Sequence, residues 1–140
     1  AMSEETIQFT DSFPIRWGDM DAFGHVNNTE YFRYMEQARV NWLFIDKREV
    51  FISKNSSFVV INANCTFFNP IVFPATLIID SWASDVGTSS VILHHKIRTI
   101  EQPDTVFAQG YAKLVCINLE TQRSTPLSPT MKSHLESTPC

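Results

Sequence analysis

The sequence is poor in cysteine and in basic residues. Of its 140 residues only three are cysteines, Cys65, Cys116 and Cys140, and their positions do not have metal-ligand spacing. A reducing, cytoplasmic setting is the simplest account of them. The chain has 11 lysines and arginines against 15 aspartates and glutamates, for a formal net charge of −4. This balance argues against a nucleic-acid partner, because nucleic-acid binding needs a basic surface.

Long apolar runs are missing as well. No stretch approaches the ~20 residues of a membrane span, and the first residues, Ala-Met-Ser-Glu-Glu, lack the basic and apolar parts of a signal peptide. The chain also lacks repeats and an interdomain linker. We therefore predict one domain over residues 1–140, with its core over about 6–120 and a polar tail over 121–140 that carries one short helical turn around Thr130 to Glu136.

The chain does contain regular alternations of apolar and polar residues. From Ile7 to Trp17 the apolar residues fall on odd positions, which predicts a half-buried strand. Pro14 places this strand at or near a sheet edge. Four further strands are predicted over residues 58–68, 77–83, 90–99 and 106–118. Short turns between the last three favour antiparallel neighbours.

A long helix separates the first strand from the other four. Asn27 suits the N-cap, and Glu30 then takes the third helical position, as in a capping box. Apolar residues recur at helical spacing to about Asp46 and cover more than one face, so the helix is expected to be mostly buried. One helix against one antiparallel sheet of about five strands is an α+β architecture.

Some apolar residues fall on the strand faces opposite the more regular apolar positions. They are Phe58, Val60, Ile92, Phe107 and Val115. Such an excess of apolar surface indicates an oligomer interface. We therefore predict that the chain forms a homodimer.

The segment between the first strand and the helix, Asp19-Met-Asp21-Ala-Phe-Gly24-His25-Val-Asn27-Asn28, carries the most chemical information. Asp21 is ionised at neutral pH and can act as a base or a nucleophile. If Asn27 caps the helix, the backbone amide of Asn28 stays free to receive negative charge from a carbonyl oxygen. This pairing is the chemistry of ester or thioester hydrolysis. The alternative is an ordinary turn aspartate beside a capped helix whose spare amide binds water.

The role of the nearby histidine is less defined by the sequence. His25 can orient Asp21 or water, contact the substrate, or pack in the turn, and we assign it a supporting role. A Ser-His-Asp triad lacks support because the chain has no Gly-x-Ser-x-Gly motif. His94 and His95 are neighbours on a predicted strand and therefore face opposite sides. His95 shares the apolar face, which favours a core histidine.

The same segment partly matches a calcium-binding loop. Asp19, Asp21, Gly24 and Glu30 match four positions of an EF-hand loop. However, Phe23 stands where an oxygen ligand is usual, and a strand precedes the loop where an EF-hand has a helix. We therefore expect no metal site.

The motif resembles that of the hot-dog-fold acyl-CoA thioesterases of the 4-hydroxybenzoyl-CoA thioesterase type. The resemblance rests on Arg16-Trp-Gly-Asp19-Met-Asp21-Ala-Phe-Gly24-His25-Val-Asn27-Asn28, followed by Tyr31-Phe32-Arg-Tyr34-Met-Glu36-Gln-Ala38-Arg39. It extends more loosely through Phe67-Phe-Asn-Pro70 and Ala108-Gln-Gly-Tyr-Ala-Lys-Leu-Val115. It implies an antiparallel sheet wrapped around one central helix, and homodimers or homotetramers with active sites between subunits.

The resemblance also implies roles for single residues. Asp21 is expected to be catalytic, as the nucleophile or as the general base for water, and the backbone amide of Asn28 to polarise the thioester carbonyl. The expected substrate-binding residues are Gly24, Val26, Asn27 and Tyr31. The Gly24-His25-Val26 sequence favours aliphatic acyl groups, although Phe23, Tyr31, Phe67 and Phe68 are available to contact an aryl group.

The implied reaction is hydrolysis of a thioester of CoA or of acyl carrier protein, without metal or organic cofactor. The same fold also hosts hydratases and dehydratases. A non-catalytic acyl-thioester binding protein is a further alternative, because fold does not fix function.

Overall fold

The computed structural model describes residues 6–137, so Cys140 and the first five residues lie outside the described residues. The strands are β1 (Phe9–Pro14), β2 (Ser56–Phe67), β3 (Thr76–Ser84), β4 (Ser90–Thr99) and β5 (Ala108–Asn118). They form one antiparallel sheet in the order β1-β3-β4-β5-β2. The two edges are therefore β1, which confirms the prediction from Pro14, and β2.

The long helix begins and ends where the sequence predicts. The helix α1 (Asn28–Arg39) continues into a π-helical segment, Val40–Asp46, and a short helix α2 (Arg48–Phe51) follows. Asn27 is the N-cap, and its side chain accepts a hydrogen bond from the N–H of Thr29 at 2.9 Å. The predicted capping box with Glu30 is wrong, because the N–H of Asn27 already donates to the carbonyl of Asp19. Within residues 6–137, none of the helices has the length and hydropathy needed to cross a bilayer.

The core lies between α1 with its π-helical extension and the inner face of the sheet. The buried residues of this helix are Tyr31, Tyr34, Met35, Ala38, Trp42 and Leu43. The third helix, α3 (Pro129–Glu136), adds Met131 and Leu135, which lie four residues apart on one helix face. The core therefore extends beyond residue 120, and the prediction of a polar tail outside it is wrong.

A β-bulge changes which side chains of β2 face the core. The register against β5 shifts between Val60 and Asn62, so an alternation read across this point assigns the wrong face. Phe58 packs inward, with its ring centroid 5.9 Å from that of Phe44. Phe107 is also in the core, at 6% exposure. Assigning Phe58 and Phe107 to an outward oligomer interface is therefore wrong.

The core contains one fully buried histidine. The two histidines of β4 face opposite sides of the sheet, as predicted, and the His95 side chain has no solvent exposure. Its Nδ1 lies 2.8 Å from the hydroxyl of Ser81, and its Nε2 has no partner among the described residues. Burial, reinforced by the positive charge of Arg39, lowers the pKa of His95 well below 6.5.

This burial makes stability depend on pH. The unfolded chain binds a proton at His95 near pH 6.5, whereas the folded chain keeps the ring neutral. The free energy of unfolding therefore has its full value above pH 6.5. Below pH 6.5 we expect the free energy of unfolding to decrease by about 1.4 kcal/mol for each pH unit. Urea unfolding of the wild type and His95→Gln between pH 7.5 and 5.5 measures this contribution. If the free energy of unfolding changed with pH equally in the two proteins, His95 would not be the source of the pH dependence.

Candidate active site

Asp21 lies in a short hairpin that leads directly into α1. The N–H of Asp21 donates to the carbonyl of His25 at 2.9 Å, and the N–H of Gly24 donates to the carbonyl of Asp21 at 3.0 Å. Met20 and Val26 form a further antiparallel bridge. These contacts turn the chain back on itself, so that the carboxylate of Asp21 belongs to the same local unit as the helix start.

Glycine is required in this hairpin by its backbone conformation. Gly24 has a φ of +81°, in the left-handed region that side-chain-bearing residues rarely adopt. Nothing lies within 4 Å of the position that a Cβ would take, so a side chain would fit here. Glycine is required because of the backbone conformation alone. Gly24 therefore shapes the turn that presents Asp21.

A cleft of about 440 Å³ opens beside the hairpin. The residues predicted for the site that line it are Asp21, His25, Val26, Asn28 and Tyr31. The aromatic candidates Phe23, Phe67 and Phe68 also line it, together with Asn69 and Pro70. Gly24 and Asn27 are not part of the lining. They build the turn and the helix cap behind it.

One oxygen of the Asp21 carboxylate is held and the other is open. Asp21 is half-buried, and its Oδ1 accepts a hydrogen bond from the N–H of Phe23 at 2.9 Å. Its Oδ2 has no hydrogen-bond partner within residues 6–137. A carboxylate fixed at one oxygen and unpaired at the other can accept a proton or attack an electrophile.

Asn28 lines the same cleft, and its backbone amide is a free donor within the described residues. Asn27 uses its side chain for the N–H of Thr29 and its carbonyl for the N–H of Glu30. The N–H of Asn28, at the first helical position, has no acceptor in the described part of the chain. It also lies at the positive end of the helix dipole. This is the arrangement that the capping argument predicts.

The two aspartates of the motif have different surroundings. Asp19 is only 8% exposed and does not line the cleft. Its Oδ2 accepts hydrogen bonds from the hydroxyl of Tyr34 at 2.8 Å and from the N–H of Arg16 at 3.0 Å. The chain enters the loop from β1 and a 3-10 turn, Trp17–Asp19, so the helix-loop-helix context of an EF-hand is not present here. Asp19 therefore stabilises the loop, while Asp21 faces the cleft.

Tyr31 joins the two walls of the cleft. Its hydroxyl accepts a hydrogen bond from the N–H of Ile71 at 3.3 Å, and its ring meets Phe67 edge-on at 4.9 Å. The carbonyl of Ile71 accepts the N–H of Val26 at 2.8 Å. Burial raises the pKa of Tyr31 above 10, so its hydroxyl keeps its proton at neutral pH. Through Ile71, these contacts fix the helix α1, the hairpin and the segment after β2 to one another.

Asn69 and Pro70 are the cleft residues that the sequence did not assign to the site. They follow directly after β2 and Phe68, and the carboxamide of Asn69 donates to the carbonyl of Val106 at 3.1 Å. The Phe67-Phe-Asn-Pro70 segment was part of the family resemblance. Its sequence, however, contains no signal for the direction that the chain takes after the strand.

Comparison with known proteins gives matches over nearly the whole chain. The family described as the thioesterase-like superfamily matches residues 15–135. The long-chain acyl-CoA thioesterase FadM of Escherichia coli is 32% identical over 125 residues, which cover 87% of this chain and 92% of FadM.

Solved structures agree with these matches. The PA2801 protein of Pseudomonas aeruginosa, a candidate thioesterase, superposes with a TM-score of 0.81 at 38% identity, over 91% of this chain and 97% of its own. YbaW of Escherichia coli, also a candidate thioesterase, gives a TM-score of 0.78 at 30% identity, over 91% and 96%. Both support the predicted hot-dog architecture of one antiparallel sheet and a central helix.

Proposed function

Because this chain belongs to the thioesterase-like superfamily, we propose that it hydrolyses acyl-CoA thioesters in the cleft shared by Asp21 and Asn28. One observation carries the proposal: Asp21 and Asn28 line the same cleft, and within residues 6–137 the carboxylate of Asp21 has an unpaired oxygen and the backbone amide of Asn28 has no acceptor. The reaction class agrees with that of FadM, a long-chain acyl-CoA thioesterase. The products are the free acid and CoA.

The chemistry follows from these two groups. The thioester carbonyl oxygen binds at the N–H of Asn28, where the helix dipole stabilises the negative charge that develops as the carbonyl carbon is attacked. Asp21 either attacks that carbon, giving a mixed anhydride that water then hydrolyses, or takes a proton from an attacking water. In both routes one water is consumed, and the sulfur leaves as the CoA thiolate and is then protonated.

The cleft walls favour an apolar acyl group. Phe67 and Phe68 are about half exposed and form one wall, and the buried ring of Tyr31, on α1, packs edge-on against Phe67. We assign the acyl chain to this aromatic wall. His25 is exposed on the hairpin side of the cleft, and we assign its imidazole a contact with the substrate near the thioester.

Thiol release from a panel of aliphatic, branched and aromatic acyl-CoAs tests this proposal. We expect cleavage, with the highest kcat/KM for aliphatic chains. Binding of acyl-CoA in calorimetry without cleavage of any panel member would instead indicate a non-catalytic binding protein. Consumption of an enoyl-CoA without thiol release would indicate a hydratase.

We also propose that the chain forms a homodimer, or a homotetramer built from it, through the edge strand β2. This strand is 12 residues long, and among the described strands it pairs only with β5, so its outer hydrogen-bonding groups are available for a second copy. Val59, Val60 and Ile61 are 38%, 49% and 57% exposed near its bulge. Because Phe67 ends the same strand, a second copy paired along β2 lies close to the cleft.

A lysine on this edge is expected to weaken the assembly. Light scattering at micromolar concentration should give at least twice the chain mass for the wild type and a lower mass for Ile61→Lys, because charged edge strands resist pairing. Ile100→Lys is the matched control, since Ile100 is 55% exposed in the loop after β4. A wild type with the mass of one chain would contradict the proposal.

A further inference from the structure

We propose that Tyr34 is a positioning residue for the reaction, because its hydrogen bond to Asp19 holds the Asp21 hairpin against the start of α1. The inference rests on the function proposed above for Asp21 and Asn28. Its central contact is the one from the Tyr34 hydroxyl to Asp19 Oδ2, at 2.8 Å. This contact is buried and joins the middle of α1 to the loop that precedes it.

Asp19 connects three parts of the site. Its Oδ2 also accepts the N–H of Arg16, which closes the 3-10 turn at the end of β1. Its carbonyl accepts the N–H of Asn27, the N-cap of α1. Since Asp19 also opens the hairpin that carries Asp21, displacement of its carboxylate would shift the hairpin relative to the helix start.

Tyr34 is suited to hold that carboxylate in place. It is only 6% exposed, and its ring centroid lies 6.2 Å from those of both Phe13 and Tyr31. Burial and the neighbouring Asp19 raise its pKa far above the ordinary value, so the hydroxyl remains a donor. Tyr34 lies about 9 Å along the helix from Asn28. Because a helix is rigid over that length, anchoring Tyr34 also fixes the Asn28 amide relative to the hairpin.

Neither member of the pair lines the cleft in which we propose that the substrate binds. Tyr34 and Asp19 are absent from the lining of the catalytic cleft and border a separate polar groove of about 390 Å³, together with Arg16 and Arg33. Any effect of the pair on the reaction therefore passes through the relative positions of Asp21 and the Asn28 amide.

Tyr34→Phe tests this role, because it removes the hydroxyl and keeps the ring. We expect kcat to fall about tenfold, since small misplacements of reacting groups are costly, and KM to stay within about twofold. A purely structural role would reduce the amount of folded enzyme and leave kcat per folded molecule unchanged. Tyr111→Phe is the control for losing a tyrosine hydroxyl, because Tyr111 is half-buried on β5 outside the cleft, and it should keep the wild-type kcat.

A double-mutant cycle assigns the loss to the contact itself. Asp19→Ala removes the oxygen that accepts from the Tyr34 hydroxyl and from the Arg16 N–H, so we expect a loss of kcat at least as large as for Tyr34→Phe. The double variant should be no slower than Asp19→Ala by more than about twofold, because both changes act on one contact. Losses that multiply, or a folded Tyr34→Phe with wild-type kcat, would overturn the proposal.

A measurement independent of activity separates this inference from the proposed function. In ¹H–¹⁵N spectra, Tyr34→Phe should move the amide signals of Gly24 and Asn28, whereas Tyr111→Phe should leave both in place. Unmoved signals in Tyr34→Phe would overturn the positioning role. If Asp21→Asn retained full activity, the proposed function would fail, while the spectra would still decide whether Tyr34 positions the hairpin.

Discussion

Replacing Asp21 by asparagine is expected to lower kcat for thioester hydrolysis by about 10³, within the range typical for losing a catalytic base. An amide oxygen can still accept the Phe23 N–H that Oδ1 accepts now, so the hairpin should keep its shape. The amide nitrogen that replaces Oδ2, however, neither attacks a carbonyl nor takes a proton from water. We expect a KM close to that of the wild type, because the acyl chain contacts the unchanged aromatic wall.

The matched control is an exposed carboxylate at the other end of the helix. Asp46 ends the π-helical segment and lies about 25 Å from the helix start. Asp46→Asn removes the same charge and should retain full activity. Thiol release at saturating acyl-CoA, with thermal unfolding as the check on folding, measures both variants. A folded Asp21→Asn enzyme within about fivefold of the wild-type kcat would remove Asp21 from the mechanism.

The elements of the fold were predictable because each depends on a local pattern. Apolar alternation defined the strands, and the N-cap at Asn27 defined the helix start. The predictions were wrong where the position of a side chain depends on contacts with distant parts of the chain. The bulge near Ile61 adds one residue to β2, and a strict alternation of inward and outward side chains does not allow for it. The alternation therefore predicts the wrong face for Phe58. Met131 and Leu135 belong to a short polar stretch whose burial depends on the helix and sheet that it packs against.

The candidate site was predictable to the extent that it lies in one segment. Asp21, Gly24 and Asn28 are brought together by a hairpin whose contacts span only a few residues. The opposite wall comes from the end of β2, and its placement depends on the pairing of β2 with β5. The contact between Tyr34 and Asp19 joins residues 15 positions apart, and its geometry requires the packed helix. Local sequence therefore identified the groups proposed to react but not the contacts that hold them.

Replacing Asn28 by proline is expected to lower kcat by about 10²–10³, the loss typical for one oxyanion donor. Proline has no N–H, and the N–H that it removes has no acceptor among residues 6–137, so no hydrogen bond within that part of the chain is lost. Proline is also favoured at the first position of a helix. The preceding residue, Asn27, has a ψ of 137°, which is the extended conformation that a following proline requires. The change should therefore remove one donor and leave the helix start in place.

Asn28→Ala is the control that makes this interpretation specific. It removes the side chain and retains the N–H, so its kcat should stay within about threefold of the wild type, and the ratio of the two variants then reports on the donor alone. The loss should appear in kcat more than in KM, because the oxygen carries its full negative charge only after the carbonyl carbon is attacked. Circular dichroism establishes whether the proline variant keeps its helix. If that folded variant hydrolysed acyl-CoA as fast as Asn28→Ala, the developing charge would have to be stabilised by another group, and the helix start would serve only to position Asp21.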